Sequence, residues 1–492
     1  MENERENFAS RLGFILVSAG CAIGIGNVWK FPYLCGAYGG AAFILIYLIF
    51  LLILGIPVMT AEFAIGRGSK RSIAECFEKL EPNGTGWHNL KWLGVIGCYM
   101  LMFYYTTVAG WMFNYAYRSS KGDFVHQTAD FIGGEFGGML SNAGEMTFWM
   151  VLVCVIGFII CFFGVQKGVE AVTKWMMAAL LVLMVVLAVH SVFLKGAGEG
   201  IEFYLVPNFK AMQKTGIFNV VFAAMSQAFF TLSLGVGSMM IFGSYIDKSR
   251  ALTGECVRIT ALDTFVALMA GFIIIPACFA YGIQPDAGPG LIFITIPNLF
   301  ANMPGGQLWG GLFFVFMVFA ALSTVIAVFE NLIAMLMDLL GWSRAKSTIF
   351  NLVFVTLLSL PCVFGYNIWS FIQLLGEGST VLDFEDFIVS QNLLPLGSLS
   401  YILFITRKNG WGWNNFLKET NEGKGLQFSD GLKPFISYVL PIIIMVVYFK
   451  GYYDFFNVDG KRQLLVPWMC ASVIFMLFVL VNAFRGSKKQ AA

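Results

Sequence analysis

Two short stretches of this chain combine residues that could coordinate ions with backbone that resists a regular helix. One is Gly20-Cys21-Ala22-Ile23-Gly24-Ile25-Gly26-Asn27; the other is Thr231-Leu232-Ser233-Leu234-Gly235-Val236-Gly237-Ser238. Glycine loses the most backbone freedom on ordering and so weakens a helix interior. Where a helix is interrupted, its free N–H groups suit an anion and its free carbonyls suit a cation. Two such breaks would suit a carboxylate and a sodium ion side by side. Elsewhere Asp263, within Ala261-Leu262-Asp263-Thr264-Phe265, is a carboxylate inside an apolar run, costly unless paired, and Ser323 and Thr324 are adjacent hydroxyls in another. Spacing alone leaves blander readings open: Gly24 and Gly26 could serve close helix packing, and the hydroxyl pair could bond back to the preceding helical turn.

The elements that must hold these residues are membrane spans. The chain is 58% hydrophobic and 12% charged over 492 residues, with mean hydropathy +0.75, against about 25% charge in soluble domains. Apolar runs of at least about 17 residues predict about twelve helices, near 11–37, 40–66, 92–117, 147–164, 170–194, 216–243, 257–283, 306–339, 346–364, 385–406, 433–453 and 464–485. Both glycine-rich breaks then fall at membrane depth, where unwound backbone is tolerated only if buried in protein or lining a cavity. Basic residues at Arg67, Lys70, Arg71, Lys79, Lys91, Lys248, Arg250, Arg344, Lys346, Arg407, Lys408 and Arg485 orient the bundle with both termini cytoplasmic. The segment 284–305, with Pro285, Pro289, Pro297 and Pro304, is expected outside as a loop able to carry short helices.

Several function classes recede on the same grounds. A net charge of +2 argues for no nucleic acid. The acidic start Met1-Glu2-Asn3-Glu4-Arg5-Glu6 is unlike a cleaved signal peptide. Ten cysteines without paired spacing read as small buried hydrophobes. Short loops without a Gly-x-x-x-x-Gly-Lys-[Ser/Thr] sequence argue against an ATP-driven pump. The histidines His88, His126 and His190 form no metal-ligand cluster, which argues against an enzyme.

The run Gly24-x-Gly26-Asn27-x-Trp29-x-Phe31-Pro32-Tyr33, with Arg11-Leu12-Gly13, Gly39-Gly40-Ala41, Glu62 and Gln227-x-Phe229-Phe230-x-Leu232-Ser233, resembles the neurotransmitter:sodium symporter family, and its bacterial amino-acid-transporting members in particular. The resemblance covers roughly residues 5–485. It implies an all-α, leucine-transporter-type fold of about twelve spans, with 11–194 and 216–406 as inverted 5+5 repeats, 433–485 as two additional helices, and the first and sixth helices unwound at mid-membrane. It implies a first sodium held by Ala22, Asn27, Thr231 and Asp263, and a second held by Gly20, Ile23, Ala320, Ser323 and Thr324. The substrate would meet Ala22, Gly24, Gly26, Tyr105, Phe230, Thr231 and Ser233, its side chain lying among Leu101, Val108, Phe230, Val236, Val325 and Val328. Relatives that carry monoamines have aspartate at position 24, so glycine there implies a substrate bringing its own carboxylate. A pocket without charge would bury a charged side chain unpaired, which favours a neutral, hydrophobic or aromatic amino acid.

Asp263, with Tyr47 and Gln227, matches the family's chloride site, and the carboxylate implies a chloride-independent cycle in which Asp263 could carry a returning proton. The resemblance also implies an outer gate of Lys30 and Asp386 and an inner gate of Arg5 and Asp338, with Phe8, Ser244 and Tyr245 nearby. Lysine replaces the more usual arginine at position 30, and it cannot make the same bidentate bond. Phe8 stands where most relatives have tryptophan. Cys21 departs from the polar residues of some relatives, and Ala178 stands ten positions after Gly168, where some bacterial members have proline. The overall expectation is a sodium-coupled amino-acid symporter in the plasma membrane (the bacterial inner membrane), monomeric or weakly dimeric. The alternatives are an amino-acid sensor on the same scaffold, or a symporter of an osmolyte or non-proteinogenic amino acid.

Overall fold

The computed structural model describes residues 6–282 and 290–485. Among them ten helices are long and apolar enough to cross a membrane: Ala41–Ser69, Trp87–Lys121, Ala143–Phe162, Val165–Val192, Leu252–Ala280, Gly306–Leu340, Arg344–Phe364, Val381–Thr406, Asp430–Phe456 and Arg462–Phe484. Two interrupted helices complete twelve spans. The first is Arg11–Ala22 followed by Ile25–Ala37, bent by 62°, and the sixth is Ile217–Thr231 followed by Ser238–Ser244. The long eighth span, Gly306–Leu340, shares its largest interface with the third, Trp87–Lys121, and also packs against Arg11–Ala22 of the first, while both halves of the sixth lie chiefly against the second, Ala41–Ser69.

Each interruption has a local cause. Ser10 starts the first helix by accepting a hydrogen bond from the Gly13 N–H, a side-chain cap of the ordinary kind. The helix ends at Ile23, Gly24 is extended (φ −133°, ψ −165°), and Asn27 Oδ1 accepts from the Gly24 N–H at 3.1 Å, closing the break. In the sixth span the backbone turns left-handed at Ser233 (φ 51°), Gly235 (φ 104°) and Gly237 (φ 76°). A side chain at Gly235 would also strike the backbone of Leu394, so both conformation and close approach call for glycine there. Glu62, fully buried in the second span, accepts from the Gly235 N–H at 2.6 Å and the Met239 N–H at 3.3 Å. Tyr401 donates to the Gly235 carbonyl at 2.8 Å. Unwound polar backbone is thus satisfied by neighbouring spans, as the bilayer requires.

Some boundaries differ from those read in the sequence. The fifth span begins at Val165, five residues early, as a π-helical turn over Val165–Glu170; the polar run Gln166-Lys167-Gly168 hides that turn from a hydropathy window. Pro285 and Pro289 lie outside the described residues, and the segment after them forms short helices over Leu291–Thr295 and Ile296–Ala301. At the other end of the bundle, Arg67 is buried and donates to Glu419 Oε1 and to the Arg250 carbonyl, both at 2.7 Å. It thereby ties the linker after the sixth span to helix Trp413–Asn421. In that linker the Ser249 hydroxyl and N–H hold Asp247 below the usual carboxylate range, so the linker stays charged and anchored.

Candidate ion and substrate site

Five oxygens converge where the first helix breaks beside the eighth span. Thr324 Oγ1 lies 3.3 Å from the Gly20 carbonyl, 3.3 Å from that of Ile23 and 3.5 Å from that of Ala320. Ser323 Oγ lies 3.0 Å from the same Ala320 carbonyl. These are neutral, hard donors from two helices, and such a set fits a sodium ion better than a soft or multivalent metal. Close packing keeps the set together: a side chain at Gly20 would press within 3.2 Å of Ser323 Cβ.

The second set lies across the break. Asn27 Nδ2 donates to Asp263 Oδ1 at 2.8 Å and to Thr231 Oγ1 at 3.1 Å, and the Thr231 hydroxyl donates to Asp263 Oδ2 at 3.0 Å. Asp263 is fully buried and has amide and hydroxyl partners but, among the described residues, no lysine or arginine in ion-pair contact. An intramembrane carboxylate is costly without a cation, so this triad fits sodium as well. Tyr47 and Gln227 are also fully buried. The Tyr47 hydroxyl lies beside Thr231 and Asp263, and both polar atoms of the Gln227 amide lack hydrogen-bond partners among the described residues.

Above these sets is a cavity of about 390 Å³, lined by Ala22, Gly24, Gly26, Leu101, Tyr105, Val108, Phe230, Thr231, Ser233 and Val236 among the residues singled out from the sequence. Tyr105 OH accepts from the Ile25 N–H at 3.2 Å, which leaves its own proton free to donate into the cavity. A Cβ at Gly24 would sit 2.7 Å from that hydroxyl and 3.0 Å from Thr324 Oγ1, so the absent side chain is what keeps this corner open. Phe230 covers Gly26, where a Cβ would come within 2.6 Å of its ring. Ser233 Oγ donates to the Cys21 carbonyl at 3.4 Å, joining the two breaks directly.

Two expectations need correction. Val325 and Val328 do not line the cavity; both are buried in the eighth span, and Val325 packs toward Gly157 of the fourth span. A helix turns 100° per residue, so a register that aims Thr324 at the broken first helix aims Val325 elsewhere. Lys30 and Asp386 both line the cavity but form no ion pair. The Lys30 ammonium instead lies 4.0 Å from the centre of the Phe230 ring, an attraction open to any cation. Asp386 accepts from Tyr104 OH at 3.0 Å and Ser390 Oγ at 2.8 Å. The sequence reading also missed Tyr33, Tyr104, Tyr366, Leu382, Asp383 and Val389, which line the cavity as well. The tyrosine pair Tyr104-Tyr105 was the available signal for Tyr104.

At the opposite end, Arg5 lies outside the described residues. Asp338 accepts from the Ser72 N–H at 2.8 Å and meets Arg71 at 3.5 Å. Phe8 packs edge-on against Tyr245 with ring centres 5.9 Å apart, and its N–H donates to the Tyr245 carbonyl at 3.3 Å. The Tyr245 hydroxyl donates to Glu330 at 2.8 Å, and Glu330 holds Arg344 through two bonds of 2.8 Å. The Ser244 hydroxyl donates to the Ile241 carbonyl at 2.7 Å, and its carbonyl accepts from Lys70 Nζ at 3.4 Å.

Comparison with known proteins agrees with this geometry. The model of the sodium:neurotransmitter symporter family matches residues 5–131 and 127–484. The uncharacterized sodium-dependent transporter YhdH of Bacillus subtilis is 33% identical over 454 residues, spanning 91% of this chain and 98% of its own. An uncharacterized sodium-dependent transporter of Haemophilus influenzae is 30% identical over 463 residues, with the same coverage. The crystal structure of MhsT in complex with L-phenylalanine aligns with a TM-score of 0.80 at 38% identity, covering 90% of this chain and 99% of that one. Likeness of this extent and identity shows that the chain belongs to the sodium:neurotransmitter symporter family, as a multi-pass, sodium-dependent membrane transporter and not an enzyme.

Proposed function

We propose that this transporter imports a neutral amino acid with a large apolar or aromatic side chain, coupled to two sodium ions and independent of chloride. The observation that carries this reading is the open corner at Gly24, faced by the free proton of Tyr105. A substrate carboxylate there would accept from Tyr105 and complete the shell of a sodium held by Ala22, Asn27, Thr231 and Asp263. The α-amino group would meet carbonyls of the two breaks and the Ser233 hydroxyl. Leu101, Val108, Phe230 and Val236 offer the side chain apolar contact, and the related MhsT was crystallised with L-phenylalanine. The second sodium would take the oxygens around Thr324.

Chloride independence follows from charge: Asp263 brings a buried negative charge next to the sodium set, which is the part a bound anion would otherwise supply. In this reading residues 11–194 and 216–406 are inverted repeats that rock against each other, 433–485 is accessory, and both termini face the cytoplasm of a bacterial cell. Two sodium charges moving down 100 mV supply about 4.6 kcal/mol, or roughly three decades of accumulation. Uptake of labelled L-phenylalanine into proteoliposomes tests the proposal. Choline in place of sodium should abolish it and gluconate in place of chloride should leave it intact; a large loss in gluconate would overturn the chloride claim.

A further inference from the structure

Glu385 takes no part in the site described above. It lies on the short helix Val381–Phe387 that opens the tenth span, is 5% exposed, and its Oε2 has no hydrogen-bond partner. That helix packs against the third and ninth spans. The titratable groups facing Glu385 are the Cys362 thiol of the ninth span, Tyr366 just beyond it, Tyr104 of the third span, and Asp383 and Asp386 of its own helix. None of them is a cation.

The two aspartates are provided for. Asp383 Oδ2 accepts from the Thr380 N–H at 2.8 Å and hydroxyl at 2.9 Å, and Asp386 accepts from Tyr104 and Ser390. Glu385 has a thiol, which is a weak donor. A carboxylate in this place would be desolvated without a counterion and would sit beside two other acids, both of which disfavour charge. A bound proton removes that cost and turns an unmatched acceptor into a donor.

We propose that Glu385 is a proton-binding site, filled from the cavity side, whose proton keeps helix Val381–Phe387 packed against the third and ninth spans. Losing the proton leaves an anion that must reach water, so the helix detaches and the cavity lined by Asp383 and Asp386 opens on that side. The proton returns to the water it came from, and no net proton crosses the membrane. The inference draws on the orientation proposed above only for which face of the membrane supplies the proton.

The full-length protein in liposomes provides the test, through two readouts that need no substrate. Infrared spectra should contain a protonated-carboxyl carbonyl band at about pH 7 that is lost in Glu385→Gln. Amide hydrogen exchange over 381–387, corrected for its intrinsic pH dependence, should rise as the pH is raised in the wild type and stay flat in Glu385→Gln. Glu385→Asp keeps the acid at a different reach, so it should retain the rise with a shifted midpoint, even if the glutamine variant folds poorly. Identical carbonyl bands in wild type and Glu385→Gln, or exchange over 381–387 with no pH dependence in the wild type, would overturn the proposal.

Discussion

Glycine at position 24 acts through the atom it lacks. A Cβ there would meet both Tyr105 OH and Thr324 Oγ1 within 3.0 Å, so Gly24→Asp would fill the corner and set its own carboxylate against the tyrosine. Phenylalanine binding should weaken by at least about tenfold, the loss expected for one hydrogen bond to a charged group at roughly 1.5–3 kcal/mol; equilibrium binding of labelled ligand checks it, and unchanged affinity would remove Gly24 from the site. Thr324→Val keeps the shape and deletes the oxygen at the centre of the five-oxygen set. Its half-saturating sodium concentration should rise by about tenfold or more, read from sodium titrations of binding. Gly24 stands out in the sequence as one of three glycines at the centre of an apolar span, whereas Thr324 is identified only through the family resemblance, because a hydroxyl in such a span can equally bond back to its own helix. Val325 could not be placed correctly for a different reason: among apolar neighbours, composition does not say which face of the eighth span looks at the cavity. Nor does lysine at position 30 reveal that its ammonium rests on Phe230 rather than on Asp386, since both lie within reach of a flexible side chain.

At the scale of the element, the broken helices depend on partners far away in sequence. The break in the sixth span was legible from Gly235 and Gly237, but what supports it was not: the carboxylate of Glu62, 173 residues away, takes the freed Gly235 N–H. The π-helical start of the fifth span was equally hidden, because one extra residue in a turn leaves no periodic mark in so short a run. Glu62→Gln replaces one accepting oxygen with an NH₂ group that can only donate toward Gly235 or Met239. A hydrogen bond to a charged group contributes about 1.5–3 kcal/mol, and its loss at a membrane-depth break leaves a backbone donor unsatisfied. The variant should show a lower Tm and faster exchange confined to amides 233–239. A uniform increase in exchange along all spans would mean instead that Glu62 supports the bundle generally.

For the whole molecule, sodium bound as proposed would join elements otherwise free to separate. The set around Thr324 takes carbonyls from the first span and oxygens from the eighth, and the set around Asp263 draws on the first, sixth and seventh. An ion that binds this assembled form, and not the unfolded chain, stabilises it by RT ln(1 + [Na⁺]/Kd), about 2.7 kcal/mol at one hundred times Kd. The detergent-solubilised protein should therefore gain Tm as sodium replaces choline at constant ionic strength, without added substrate. Thr324→Val weakens one set and leaves Asp263 in place, so it should lower but not abolish that gain. Asp263→Asn removes the charge that a sodium would neutralise, and its own gain should shrink while its stability in choline rises, because the buried carboxylate no longer lacks a cation. That crossing of the two effects separates an ion-binding carboxylate from one that merely bonds Asn27 and Thr231. In the second case Asp263→Asn would lose stability in choline and keep the full response to sodium.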